Sequence, residues 1–223
     1  QMKNALFIIP IITFGYLVLT SEKPAPKAEP LFTKNLSNAS YDPAVWSVEP
    51  DGVLTATADK EIWTNKEYEN FTLDLEFKTD NGTNSGVIVY CTDRQNWIPN
   101  SVEIQIADDH SEKWGTSPTY YQCGAIFGHL PAKWQKVVKK PGEWNKMTIT
   151  CKGKLITVRL NGRDVTKMDM NIWKSGTKNP DGTEIPSWLP KPFAELPTKG
   201  YIGLQGKHGD SQIWFRNVTI KEL

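Results

Sequence analysis

The chain has 223 residues, 39% hydrophobic and 23% charged, with a formal net charge of +1. That suits one β-rich domain or two small ones, excludes a disordered chain, and leaves no basic excess for nucleic acid. Nine Trp beside seven Tyr and eight Phe exceed the roughly three Trp usual at this length and point to an aromatic-rich surface or cleft.

Met2-Lys3-Asn4 is a short basic start, and residues 5–19 (ALFIIPIITFGYLVL) are almost entirely apolar. Fifteen such residues are few for a bilayer span and suit a secretory leader, with an uncleaved N-terminal anchor as the alternative. No Cys follows the run, which disfavours a lipid anchor. Residues 21–30 (SEKPAPKAEP) read as a disordered Pro/Lys/Glu linker. The expectation is therefore a signal peptide and linker over 1–28, a single β-sandwich over 29–223, and export to the periplasm or beyond with no stable membrane partner after cleavage.

The first strand predicted is 52–58. Residues 71–79 (FTLDLEFKT) then alternate cleanly, with Phe71, Leu73, Leu75 and Phe77 on one face and Thr72, Asp74, Glu76 and Lys78 on the other. That is the habit of an antiparallel sheet with one wet face. Strands follow at 85–91, 101–107 and 123–128. The alternation returns at 145–151 and 154–160, and Asn161-Gly162 is a hairpin signal joining the latter to 163–168. Two more strands are predicted at 200–205 and 211–221. In the last, Ile213 and Phe215 are out of phase with Val218 and Ile220, which a bulge near Arg216-Asn217 would explain. Sixteen Gly and fifteen Pro argue against long helices. About ten short strands with turns between them make the chain all-β, a sandwich of two antiparallel sheets. Two long segments, 108–122 and the Pro-rich 171–199, are expected to be ordered loops walling a site. Cys91, Cys123 and Cys151 allow at most one disulfide and read as buried free thiols.

The chemistry gathers on 101–109 (SVEIQIADD). Val102, Ile104 and Ile106 share one face, so Glu103 and Gln105 share the other. Two polar side chains there suit a solvated strand face or a cleft that binds something. Asp108, Asp109 and His110 add acid and base groups at the strand end. Asn84-Ser85-Gly86 opens a strand after a turn, and Gln205 lies on another that ends at Lys207 and His208. His208 is a general base by type, although a lone His at a strand end is often structural. Arg216 either aims a cation into the cleft or pairs with an acid on the sheet. Trp97, Trp114, Tyr120, Tyr121, Trp134, Trp173 and Trp188 fall in loops or strand ends, where aromatic faces stack on sugar rings or close small cores. No Cys/His metal spacing exists.

Seven runs in order give a resemblance: Asn84-Ser85-Gly86, Glu103-Ile104-Gln105-Ile106, Gly124-Ala125-Ile126-Phe127-Gly128, Gly142-Glu143-Trp144-Asn145, Asn161-Gly162, Gly203-Leu204-Gln205-Gly206 with His208-Gly209, and Phe215-Arg216-Asn217. Together they resemble the 3-keto-disaccharide hydrolase domain family over about residues 45–223. One departure is Tyr90-Cys91, where the family often carries an Arg. The resemblance implies a concanavalin A-like jelly roll and cleavage of glycosides already oxidised to a ketone at C3, by C2 proton abstraction, β-elimination and water addition. Such a site needs a base, donors at an enolate oxygen and an acid for the leaving oxygen. The candidates are Glu103 or His208 as base, Arg216 and Lys207 as enolate stabilisers, and Asp108 or Asp109 as acid. Asn84, Gln105 and Gln205 would position hydroxyls, with Tyr121, Trp114, Trp173 and Trp188 as sugar contacts. A divalent cation held by Glu103, an Asp and His208 could replace the cationic side chains. The alternatives are a non-catalytic, lectin-like binding module and a conventional endo-glycanase, the latter expecting a second carboxylate near Glu103.

Overall fold

A computed structural model describes residues 26–223. Its strands are β1 (Glu29–Pro30), β2 (Ala39–Ser40), β3 (Trp46–Val48), β4 (Leu54–Ala56), β5 (Ile62–Thr64), β6 (Phe71–Thr79), β7 (Asn84–Cys91), β8 (Val102–Ala107), β9 (Trp144–Lys152), β10 (Leu155–Leu160), β11 (Arg163–Asp169), β12 (Tyr201–Leu204) and β13 (Ile213–Glu222). They form two antiparallel sheets. One has the order β11-β10-β9-β6-β13-β4-β3, with β1 added against β13, and the other has the order β2-β5-β12-β7-β8. Among the described residues, helix is confined to one turn, α1 (Glu112–Gly115), and to short 3-10 segments.

Local chemistry explains the elements. Along β6 every second residue is buried, and Phe71, Leu73, Leu75 and Phe77 enter the core between the sheets. Asn161 and Gly162 both take positive φ (49° and 83°), as the two-residue β10–β11 turn requires. The phase slip in β13 is a bulge, with register shifting between Arg216 and Thr219 and Asn217 at φ 51°. All three cysteines are reduced and buried.

Three expectations change. Segment 123–128 touches β8 through the Ile104–Ile126 bridge, but Gly124 and Gly128, at φ 85° and 68°, turn the chain before a strand can extend. Strands β2, β3 and β5 are two or three residues long and carry too little periodicity to be read. Glu29 and Pro30, expected in the linker, pair with Ile220 and Thr219 of β13, and an edge position suits a Pro with no N–H to offer. The apolar 5–19 run lies outside the described residues. Among those described, no helix is long and apolar enough to cross a membrane.

Candidate active site

The outer face of the five-stranded sheet carries the candidate site. Ile62, Leu204, Val87 and Ile104 turn inward, so their chain neighbours face out. The strand register sets these neighbours in two rows. One runs Trp63 (β5), Gly203 (β12), Ile88 (β7), Glu103 (β8). The next runs Glu61, Gln205, Gly86, Gln105. Here Gly86 pairs with Gln105, the Gln205 amide donates to the Gly86 carbonyl, and Glu61 and Gln205 continue the Ile62–Leu204 pair.

Two glycines shape this face. A Cβ at Gly86 would fall 2.3 Å from Glu103 Oε1, and one at Gly203 would fall 2.5 Å from the Trp63 ring. The Glu103 carboxyl and the Trp63 indole therefore lie over bare backbone, and the sheet surface becomes a trough. Trp97 packs edge-on against Trp63, with ring centroids 6.4 Å apart. On the β8 side, Tyr121 stacks at a tilt on Phe127 (5.0 Å) and against Tyr120 (4.6 Å). The Phe127 amide donates to the Glu103 carbonyl, so this aromatic wall is tied to the strand that presents the carboxyl.

Glu103 has neither a cation nor a hydrogen-bond donor from the protein among the described residues. Burial, followed by the charges of Glu61 and Asp59, pushes its carboxyl up to about 8. Glu61 is also raised, chiefly by burial, with the nearby Asp59 charge adding to it and hydrogen bonds from its own backbone and from Trp97 opposing it. Gln105 is fully buried. Its Nε2 donates to Asn84 Oδ1 (3.1 Å) and to the Tyr121 carbonyl (3.0 Å). That carbonyl can only accept, so the amide orientation is fixed and Oε1 is left without a donor. Asn84 accepts through Oδ1, which frees its Nδ2 to donate elsewhere.

The segment after β12 closes one end of the trough. The His208 amide reaches the Asn84 carbonyl (3.3 Å) and the Lys207 amide the Ala58 carbonyl (3.0 Å). His208 Nδ1 donates to Asp59 Oδ2 at 2.5 Å, which leaves Nε2 as the imidazole's acceptor. The structure thus gathers Glu103, Gln105, Asn84, Gln205, Lys207, His208 and Tyr121 around one face.

Other candidates stand elsewhere. Arg216 is on the outer face of the eight-stranded sheet, paired with Glu76 at 2.6 Å and stacked over Trp144 at 4.0 Å, because it alternates with the buried Phe215 before the β13 register shift. Asp108 is fully buried, and its oxygens accept from the amides of Gly82 and His110. It closes turns and takes no place in the trough. Asp109 is buried and accepts from the Cys123 amide. Trp114 donates to the Gly82 carbonyl, and Trp173 is buried with its indole N–H on Asn179. Both hold loops in place. Trp188 is 55% exposed and packs into neither wall described above. Among the described residues, no three Asp, Glu, His or Cys side chains converge as a metal-holding group.

Sequence reasoning missed Asp59, Glu61 and Trp63, which flank or occupy the three-residue β5. It also missed why Gly86 and Gly203 are glycine, although both fall inside the motifs it singled out.

An antiparallel two-sheet jelly roll is the architecture of the lectin and glucanase sandwiches. The CBM66 carbohydrate-binding module of Bacillus subtilis shares it, with a TM-score of 0.52 and 12% identity over 86% of this chain and 99% of that one, a likeness of fold. Within that class the chain belongs to the 3-keto-alpha-glucoside-1,2-lyase-like domain family, whose pattern matches residues 27–221. A 3-keto-disaccharide hydrolase of Bacteroides thetaiotaomicron is 28% identical over 179 residues, covering 70% of this chain and 59% of that protein. This chain therefore spans well under two thirds of that relative. A crystal structure from Parabacteroides distasonis, described only provisionally as a glycosyl hydrolase, is 71% identical with a TM-score of 0.87, over 88% of this chain and 100% of that one.

Proposed function

We propose that this protein cleaves glycosides whose sugar carries a ketone at C3, by elimination followed by hydration. The ketone acidifies the C2 proton. A base removes it to give an enolate, the electron pair expels the C1 oxygen as an enone forms, and an acid protonates that oxygen. Water then adds to C1 and a proton returns to C2, so the net change is hydrolysis.

The observation that carries this reading is the Glu103 carboxyl, held over Gly86 without a cation and pushed up to about 8. At neutral pH it keeps its proton and acts as an acid toward the leaving oxygen, rather than as the base. The base is His208, whose Asp59 partner fixes the tautomer and leaves Nε2 to accept. Asn84 Nδ2, Gln205 and Lys207 supply donors and charge for the enolate oxygen and hydroxyls. Gln105, fully buried, acts by holding Asn84 Oδ1 through its Nε2 at 3.1 Å, which orients the Asn84 amide.

Glu61 beside Glu103 favours the second reading, a conventional glycanase that uses two carboxyls. One assay separates them: matched 3-keto and ordinary glycosides in D2O. Elimination and hydration release product from the keto compound alone, with deuterium at C2. Release from ordinary glycosides without C2 exchange would make the protein a conventional glycosidase, and binding without release would make it a lectin-like module. We further propose export on the strength of the 5–19 apolar run, which cell fractionation tests.

A further inference from the structure

We propose that Glu61 is a positioning residue that acts through Glu103. It is a carboxylate with no ion-pair partner among the described residues, held across the trough, and its charge keeps the proton on the catalytic acid. The inference deepens the reading of Glu103 as the acid and rests on it.

The geometry comes from the sheet. Glu61 shares a row with Gln205, Gly86 and Gln105, and the Glu103 carboxyl leans into that row over Gly86. Two strand spacings separate Glu61 from Gly86, about 10 Å of backbone. Two facing side chains reduce that gap to the range of direct Coulomb interaction in a half-buried setting. Neither carboxyl has an ion-pair partner among the described residues, whereas exposed acids of this chain such as Asp42 do. Two such groups with no cation between them cannot both ionise without cost, so the more buried one retains its proton. The raised Glu103 carboxyl agrees with this, since the Glu61 charge is its second cause after burial.

The other groups facing the trough are few. The segment before β5 contributes Asp59, a further negative charge. The segment after β12 contributes Lys207 and His208, with His208 engaged by Asp59. Cys91 lies at the Trp63 end, where Asp93 adds a negative charge and Arg94, stacked over the Tyr201 ring at 4.4 Å, adds a positive one, and Tyr121 with Tyr120 lies beyond β8. On β7 the site residues are uncharged. Removing Glu61 therefore takes away the larger of the two like charges that oppose ionisation of Glu103.

The test compares wild type, Glu61→Gln, Glu61→Asp and Glu103→Gln by two readouts. The first is the pH profile of kcat/KM on a chromogenic 3-keto glucoside. Glu61→Gln should move the alkaline limb down by about one pH unit and leave the plateau below it within a few-fold of wild type. Glu61→Asp, which keeps the charge, should leave the limb in place. The second readout needs no turnover. In protein carrying 13C-labelled glutamate carboxyls, the Glu103 signal, assigned by its loss in Glu103→Gln, should titrate at lower pH in Glu61→Gln. A uniform drop in rate with an unmoved limb, or a Glu103 titration unchanged by Glu61→Gln, overturns the proposal. If the wild type releases nothing from the keto glucoside, the proposed reaction fails while the carboxyl titration still decides the coupling. If the reaction proceeds and the titration is unmoved, only the role of Glu61 falls.

Discussion

At Gly86 the missing side chain lets Glu103 lie along the sheet instead of standing off it, since a Cβ there would meet Oε1 at 2.3 Å and Cγ at 2.9 Å. The displaced atoms are the far end of a flexible side chain, so Gly86→Ala can be accommodated by lifting the carboxyl out of the trough. The expected outcome is a loss of about 100-fold in kcat/KM with a melting temperature within a few degrees of wild type. Parallel loss of rate and fold would show that Gly86 serves packing alone. Glu103 itself makes stability depend on pH. Its folded value, about 8, lies above its unfolded value. Its contribution is therefore complete below the unfolded value near 4.5 and is lost as pH rises through 8. Glu103→Gln removes that loss, so the variant should melt higher than wild type at pH 9, by roughly 3 °C or more, and match it at pH 5. Equal differences at both pH values would place the carboxyl in a freely solvated setting.

Among the elements, the long strands were legible and the short ones were not, for a physical reason. β6, β9 and β10 have one buried and one wet face, so their sequences alternate, and their predicted bounds differ from the observed ones by a residue at most. β5 is covered on both sides, with Ile62 in the main core and Trp63 under Trp97. Its three residues are all buried, and no period survives. The site suffered in proportion. Glu103, Gln105, Asn84, Gln205 and His208 are legible as candidates because they sit on or beside readable strands, whereas Asp59 and Glu61 hang on β5, where no period marks them. The Pro-rich 171–199 segment is expected to wall a site, but its Trp173 is spent on holding Asn179 rather than on lining the trough. Nothing in a loop sequence tells an indole that faces solvent from one that pins the loop.

At the scale of the whole molecule, the two sheets present outer faces of different character, and the Arg216 reading turns on which face does the chemistry. The eight-stranded sheet carries a ladder in which Lys78 lies over the rings of Trp144 (5.1 Å) and Trp214 (4.5 Å) while Arg216 covers Trp144 and grips Glu76. Burial alone would raise Glu76, yet hydrogen bonds from Arg216 and Asn217 hold it below the ordinary carboxylate range, so the guanidinium is already committed. The sandwich core of Phe77, Phe215 and their neighbours lies between this ladder and the trough. A cation on that side is screened from an enolate on the other by distance and has no route to it. Arg216→Ala should therefore behave as a scaffold variant. It loses a half-exposed ion pair and one cation–π contact, together about 1 kcal/mol, which lowers the melting temperature by a few degrees. On a 3-keto glycoside its kcat/KM should stay within about twofold of wild type, whereas His208→Ala should abolish turnover and leave the melting temperature nearly unmoved. A loss of kcat/KM in Arg216→Ala as deep as that in His208→Ala, with the fold intact, would move the reaction to the other face of the sandwich.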